Sequence, residues 1–152
     1  MNTNFELILI EPPLIDFDEI GLIDILIQQE DNLSFSEATS YYVVEAGMAI
    51  GNFAGMTILI DPSCRLLNAM PAILGDLDVH RIVFCRIADP LVGSCVRKVY
   101  RDGVEVSQPG DGTMDNAQQA WDFIREHTGL NIDDSVPDKN LGKSKYALYV
   151  LE

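Results

Sequence analysis

Asp76, Asp78 and His80 alternate along the chain. On an extended strand alternate side chains point the same way, so these three have the types and spacing to hold a divalent metal. They follow Gly75 and lead into the apolar run Arg81–Ile87, however, and polar residues at the entrance to a buried strand ordinarily meet water. No metal and no cofactor is expected. A serine or cysteine nucleophile needs a base, and only His80 and His127 can supply an imidazole. Cys85 lies five positions after His80, which on one strand sends the two side chains to opposite faces. With 24 Asp and Glu residues, paired carboxylates for hydrolysis can be found almost anywhere, so no particular pair is informative. Gly47, Gly51 and Gly55 recur every four residues and match neither a phosphate loop nor a dinucleotide fingerprint; they read as close helix packing or tight turns. The residues taken singly point away from an enzyme.

The distribution of charge is more telling. Before Arg65 the chain has no lysine, arginine or histidine, yet it has eleven carboxylates: Glu6, Glu11, Asp16, Asp18, Glu19, Asp24, Glu30, Asp31, Glu37, Glu45 and Asp61. The rest of the chain is nearly balanced, with 13 acids against 10 bases, so most of the net charge of −14 sits in the first 64 residues. A charge run is usually just a solvated face. Ordinary surfaces intersperse both signs, though, and concentrating one sign raises self-repulsion without helping the fold. Such a surface attracts a basic partner and repels nucleic acid and anionic lipid. Asp16, Asp18, Glu19, Asp24, Glu30 and Asp31 are the candidate partner-binding residues.

At 152 residues and 47% hydrophobic content the chain reads as one globular domain spanning 1–152, able to bury its core without disulfides or structural metal. Phe5–Ile10, the early apolar run, is too short for a secretory or membrane-spanning segment. Cys64, Cys85 and Cys95 are odd in number and lack the spacing of a zinc or redox motif, as expected of reduced, mostly buried thiols in the cytoplasm.

Phe5–Ile10 reads as a strand ended by Pro12 and Pro13. Asp16 and Glu19 have capping-box spacing, and Ile20, Ile23 and Ile27 recur at helical intervals; Leu22, Ile25 and Leu26 widen the stripe, predicting a helix buried on more than one side. Tyr41–Val44, Met56–Ile60 and Arg81–Ile87 read as strands, the last of them central, and Leu66–Leu74 as a short helix interrupted by Pro71. Asp102 and Gly103 between Val96–Arg101 and Val104–Val106 predict a hairpin with a type I′ turn. Asp115 and Gln118 form a second capping box before Ala117, Ala120, Trp121 and Ile124, a helix closed by His127 and Gly129. Asn131–Lys145 reads as an exposed loop and Tyr146–Leu151 as a final strand. The expected class is α+β, a mostly antiparallel sheet flanked by two or three helices.

The run Arg97-Lys98-Val99-Tyr100-Arg101-Asp102-Gly103-Val104-Glu105-Val106, followed by a Gly/Pro loop, an amphipathic helix and Thr128-Gly129-Leu130, resembles the C-terminal half of small bacterial immunity proteins. These neutralise the toxins of polymorphic and contact-dependent competition systems. The resemblance implies a non-enzymatic protein that binds a cognate toxin and blocks it, and many such toxins are nucleases with basic clefts. Carboxylates placed where phosphates would sit agree with the charge asymmetry. Two other readings stay open: an enzyme or binder acting on a small molecule, with His80 and carboxylates in a pocket, and a phosphate-mimicking inhibitor of another nucleic-acid enzyme. A homodimer is compatible with the apolar content, but like charge opposes one built through the N-terminal half.

Overall fold

The computed structural model describes residues 4–41, 43–44, 47–88, 95–106, 113–114, 117–132 and 136–150. The strands are β1 (Phe5–Glu11), β2 (Ile27–Ser34), β3 (Gly47–Phe53), β4 (Met56–Asp61), β5 (Arg81–Ile87), β6 (Cys95–Arg101), β7 (Val104–Glu105), β8 (Thr113–Met114) and β9 (Lys145–Val150). They form one sheet in the order β2-β9-β3-β4-β1-β5-β6-β7, with β8 also paired to β6, and every pairing among them is antiparallel. Two long helices, α3 (Leu66–Asp76) and α4 (Ala117–Thr128), and two single turns, α1 (Gly21–Asp24) and α2 (Phe35–Ala38), complete an α+β architecture. No described helix is long and apolar enough to cross a membrane.

The unbroken apolar run of β1 follows from its place inside the sheet, between β4 and β5. Successive side chains leave a strand on opposite faces, and here both faces are covered. Phe5, Leu7 and Leu9 pack in one layer with Ala120, Phe123 and Ile124 of α4, Phe35 and Ala38 of α2, and Leu141. Ile8 and Ile10 pack in the other with Leu66, Met70 and Ile73 of α3 and with Leu14, Ile20 and Ile23. The hairpin forms as expected: Asp102 and Gly103 take φ of 52° and 82°, the paired positive values of a type I′ turn. At the end of α4, Gly129 adopts φ 77° and its N–H reaches the Arg125 carbonyl, closing the helix as expected. Asp115 lies outside the described residues.

Three sequence expectations about elements are corrected. The helix from Asp16 to Ile27 is a 3₁₀ turn over Phe17–Glu19, the single turn α1, and then the edge strand β2. Gly21 and a series of β-branched isoleucines make a weak helix, and Ile27 instead pairs with Val150 of β9, so tertiary pairing overrides the helical period. Tyr41 and Val43–Val44 form turns, with the Val43 and Val44 N–H groups both on the Ser40 carbonyl. Residues 131–132 and 136–145 are not a solvated loop: Asn131 and Asn140 bridge, two 3₁₀ turns follow Val136, and Leu141 and Ser144 are buried. Leu141 fills the α4 layer, which is why the segment folds inward.

The glycine spacing has nothing to do with helices. Gly55 makes the β3–β4 turn at φ 78°, whereas Gly47 and Gly51 lie in β3 where the β9 backbone comes too close for a side chain. A Cβ on Gly47 would lie 2.5 Å from the Tyr149 carbonyl oxygen, and one on Gly51 would overlap that of Lys145. Gly51→Ala should therefore destabilise the protein by about 2–3 kcal/mol, as overpacking against backbone does. Urea melts of the two proteins check this, and superimposable curves would refute the close approach.

Candidate functional site

The candidate partner-binding residues fall on one stretch of chain, which the core holds from beneath. After β1 the chain turns through Pro12 and Pro13, the peptide bond before Pro12 being cis. Leu14 is then pinned, its N–H donating to Thr57 Oγ1 at 2.8 Å while that hydroxyl donates to Asn52 Oδ1 at 2.6 Å. The Glu19 carboxylate folds back to accept from the Ile15 and Asp16 N–H groups, at 2.9 and 3.1 Å, and so shapes the turn. Buried Ile20 and Ile23 anchor the next residues, and the Gly21 N–H donates to Asp76 Oδ2 at the end of α3, 2.9 Å away. Phe17 stands edge-on to Tyr149 of β9, with ring centres 6.5 Å apart.

On this scaffold Asp16, Asp18, Glu19, Asp24, Glu30 and Asp31 are all exposed. Among the described residues no ion pair involves Asp16, Asp18, Asp24, Glu30 or Asp31. The same stretch exposes apolar side chains that the helical reading had placed inside: Ile15 is 92% exposed, Ile25 68% and Ile27 45%. Carboxylates interleaved with bare isoleucines were not foreseeable from periodicity, because which isoleucine faces out depends on where the helix stops. Ser34 and Glu37 carry a signal that sequence reading passed over. They form a capping box on α2, with Glu37 N–H on Ser34 Oγ and Ser34 N–H on Glu37 Oε1, and the backbone donor holds the Glu37 carboxyl below its usual range.

Between the Phe17 turn and β2 a groove of about 410 Å³ opens, lined by Phe17, Asp31, Asn32, Lys145 and Ala147 among others. β2 is irregular there, its register with β9 shifting between Gln28 and Glu30 and again before Leu33, and Asn32 takes φ 66°.

Two of the eleven early carboxylates are interior. Glu6 and Asp61 face each other across β1 and β4 and are fully buried. Glu6 Oε2 pairs with Arg86 at 2.5 Å, while Oε1 accepts from the Leu66 and Leu67 N–H groups at 2.7 and 3.2 Å, capping α3 from a neighbouring strand. Asp61 accepts from the Ser63 and Arg65 N–H groups and from the Arg65 side chain, which also donates to the Gly47 carbonyl. Glu11 is tied to Arg81 at 3.2 Å.

Cys64 lies beside this network. Burial pushes its thiol up to about 11, with the Glu6 and Asp61 carboxylates adding to the effect and Arg86 opposing it. A thiol with that pKa is a poor nucleophile at neutral pH. Its alkylation by iodoacetamide at pH 8 should be roughly a hundredfold slower in the folded protein than in urea, because so little of the raised thiol is thiolate. Mass spectrometry of timed samples measures this, and equal rates would exclude the shift. Cys85 is buried under α4, its thiol raised further by burial.

The alternating trio is dispersed. Asp76 ends α3 and is occupied with Gly21, Asp78 is exposed in the turn that follows, and only at Arg81 does the strand begin, so the three never share an extended segment. Among the described residues no group of three His, Cys, Asp or Glu side chains can hold a metal. A hollow of about 550 Å³ is lined by Glu11, Arg81, Arg101 and Asp102 among others, and not by His80. His127 does not act alone at the end of α4: Arg81 Nη2 donates to its carbonyl at 3.1 Å and lies 3.2 Å from Nδ1, so a guanidinium from β5 supplies the positive charge at that helix end. Residues 97–106 and the amphipathic helix after them, on which the expected resemblance rested, correspond to β6, β7 and α4. No family model, curated protein or solved structure matches this chain.

Proposed function

We propose that this chain is an immunity-type binding protein that neutralises a basic partner in the cytoplasm, a toxin domain of the nuclease kind, by contact through residues 15–31. One observation carries the reading. Five exposed carboxylates with no ion-pair partner among the described residues, Asp16, Asp18, Asp24, Glu30 and Asp31, share a short stretch with the exposed side chains of Ile15, Ile25 and Ile27. The fold gains nothing from either feature. Clustered like charges repel one another, and each isoleucine left in water forgoes about 1.5–3 kcal/mol that covering it would return. A partner with a cationic cleft and an apolar rim recovers both terms. A nuclease holds its substrate by neutralising phosphates, so carboxylates in their place compete directly for the cleft.

The test is a pull-down with the whole chain as bait from lysate of its native host, washed at low and then high salt. The expected result is a stoichiometric basic protein, encoded beside this chain, released by salt and harmless when the two are co-expressed. A nucleic-acid enzyme of another kind in the same wash would make the chain a phosphate-mimicking inhibitor instead. Absence of any specific partner would defeat the reading.

A further inference from the structure

We propose, building on that reading, that the groove between the Phe17 turn and β2 receives an arginine side chain of the basic partner and is the point on which the interface is anchored. The groove suits an aliphatic stem. Ala147 is small and partly exposed there, leaving room that a larger side chain would fill. It is also lined by the half-buried ring of Phe17, kept in place by its edge-on contact with Tyr149, over which a guanidinium can lie. Asp31 lines the same groove, exposed and without an ion-pair partner among the described residues, with Asn32 next to it. A carboxylate facing a planar five-donor cation allows the bidentate pairing that an ammonium cannot make.

The charge around the groove selects for the same occupant. Asp16 and Asp18 flank Phe17 in sequence, and Glu30 precedes Asp31, so the approach is negative from both sides. Lys145, which also lines the groove, is the countervailing feature. The irregular pairing of β2 also argues for side-chain insertion over strand addition. Successive register shifts and the left-handed Asn32 leave its outer edge a poor template for another strand.

The experiment is an NMR titration of the ¹⁵N-labelled chain with N-acetyl-arginine amide, with the lysine and glutamate analogues as comparisons. Saturable shifts gathered at Asn32, Gly51 and Ala147 are expected for the arginine probe, weaker ones for lysine and none for glutamate. Asp31→Asn and, separately, Ala147→Leu should each weaken the arginine response about tenfold, by removing the bidentate acceptor or filling the groove; Asp31→Asn guards against a packing defect in the other variant. The groove is refuted as an arginine site if the shifts spread along residues 15–31 without saturating, if both variants respond like the parent, or if the glutamate probe binds equally well. The wider reading fails separately: should a basic partner still be captured, and lost on charge reversal at Asp24, Glu30 and Asp31, the acidic surface stands and only its anchor falls.

Discussion

Glu6→Ala is expected to lower the stability of the fold by about 3–5 kcal/mol, the cost of stranding one member of a buried ion pair. The carboxylate does two jobs at once. It neutralises Arg86 across the β1–β5 pairing, and it accepts the first N–H groups of α3, a helix that has no side-chain cap of its own. Removing it leaves a guanidinium that is only 28% exposed without its partner, and two helix donors without an acceptor. Glu6→Gln separates the two roles, since the amide oxygen can still accept from Leu66 while the charge is gone. It should recover about half of the loss, the remainder being the ion pair. Guanidinium or urea unfolding of the parent and both variants gives the comparison. A loss below 1 kcal/mol for the alanine variant would show that solvent already compensates Arg86.

The second large effect concerns association. Replacing Asp24, Glu30 and Asp31 together with lysine changes the charge of the surface by six units without touching the core, since all three side chains are exposed. Association with the basic partner should slow by roughly 10–100-fold, and the dependence of the rate on salt should flatten, because steering by a one-signed field is what salt screens. Stopped-flow or surface-binding kinetics at several ionic strengths would register both. Unchanged rates would place the interface on another face. Melting curves of the variant should stay close to those of the parent, because surface substitutions away from special features shift stability little.

The contrast between these two predictions rests on a distinction invisible in the linear chain. All eleven early carboxylates look alike in sequence, and an acidic N-terminal half is plain from composition. Whether a given carboxylate is interior or available depends on what the fold places opposite it. Glu6 and Asp61 sit in apolar strands whose other face is equally buried, and Arg86 and Arg65 reach them there. Asp16, Asp18, Asp24, Glu30 and Asp31 have no such cation among the described residues.

Local chemistry was legible wherever a few neighbouring residues decide the outcome. The Asp102-Gly103 turn, the Gly129 helix stop and the strands β1, β4 and β5 could be read because turn geometry and short apolar runs are properties of adjacent residues. So could the shaping of the acidic turn by Glu19, which accepts the Asp16 N–H as a capping box requires. What the chain could not announce by itself was that Ile27 would leave a helical period to pair with Val150, that β9 would run close enough to forbid a side chain at Gly51, and that Leu141 would draw a polar segment inward. Those outcomes turn on partners far away in sequence, and a local pattern cannot weigh a distant contact. The charge, its one-sided placement and the class of fold were thus determined by the sequence alone; only the tertiary structure decided which carboxylates and which isoleucines face a partner, because burial is a property of packed surfaces and not of residue order.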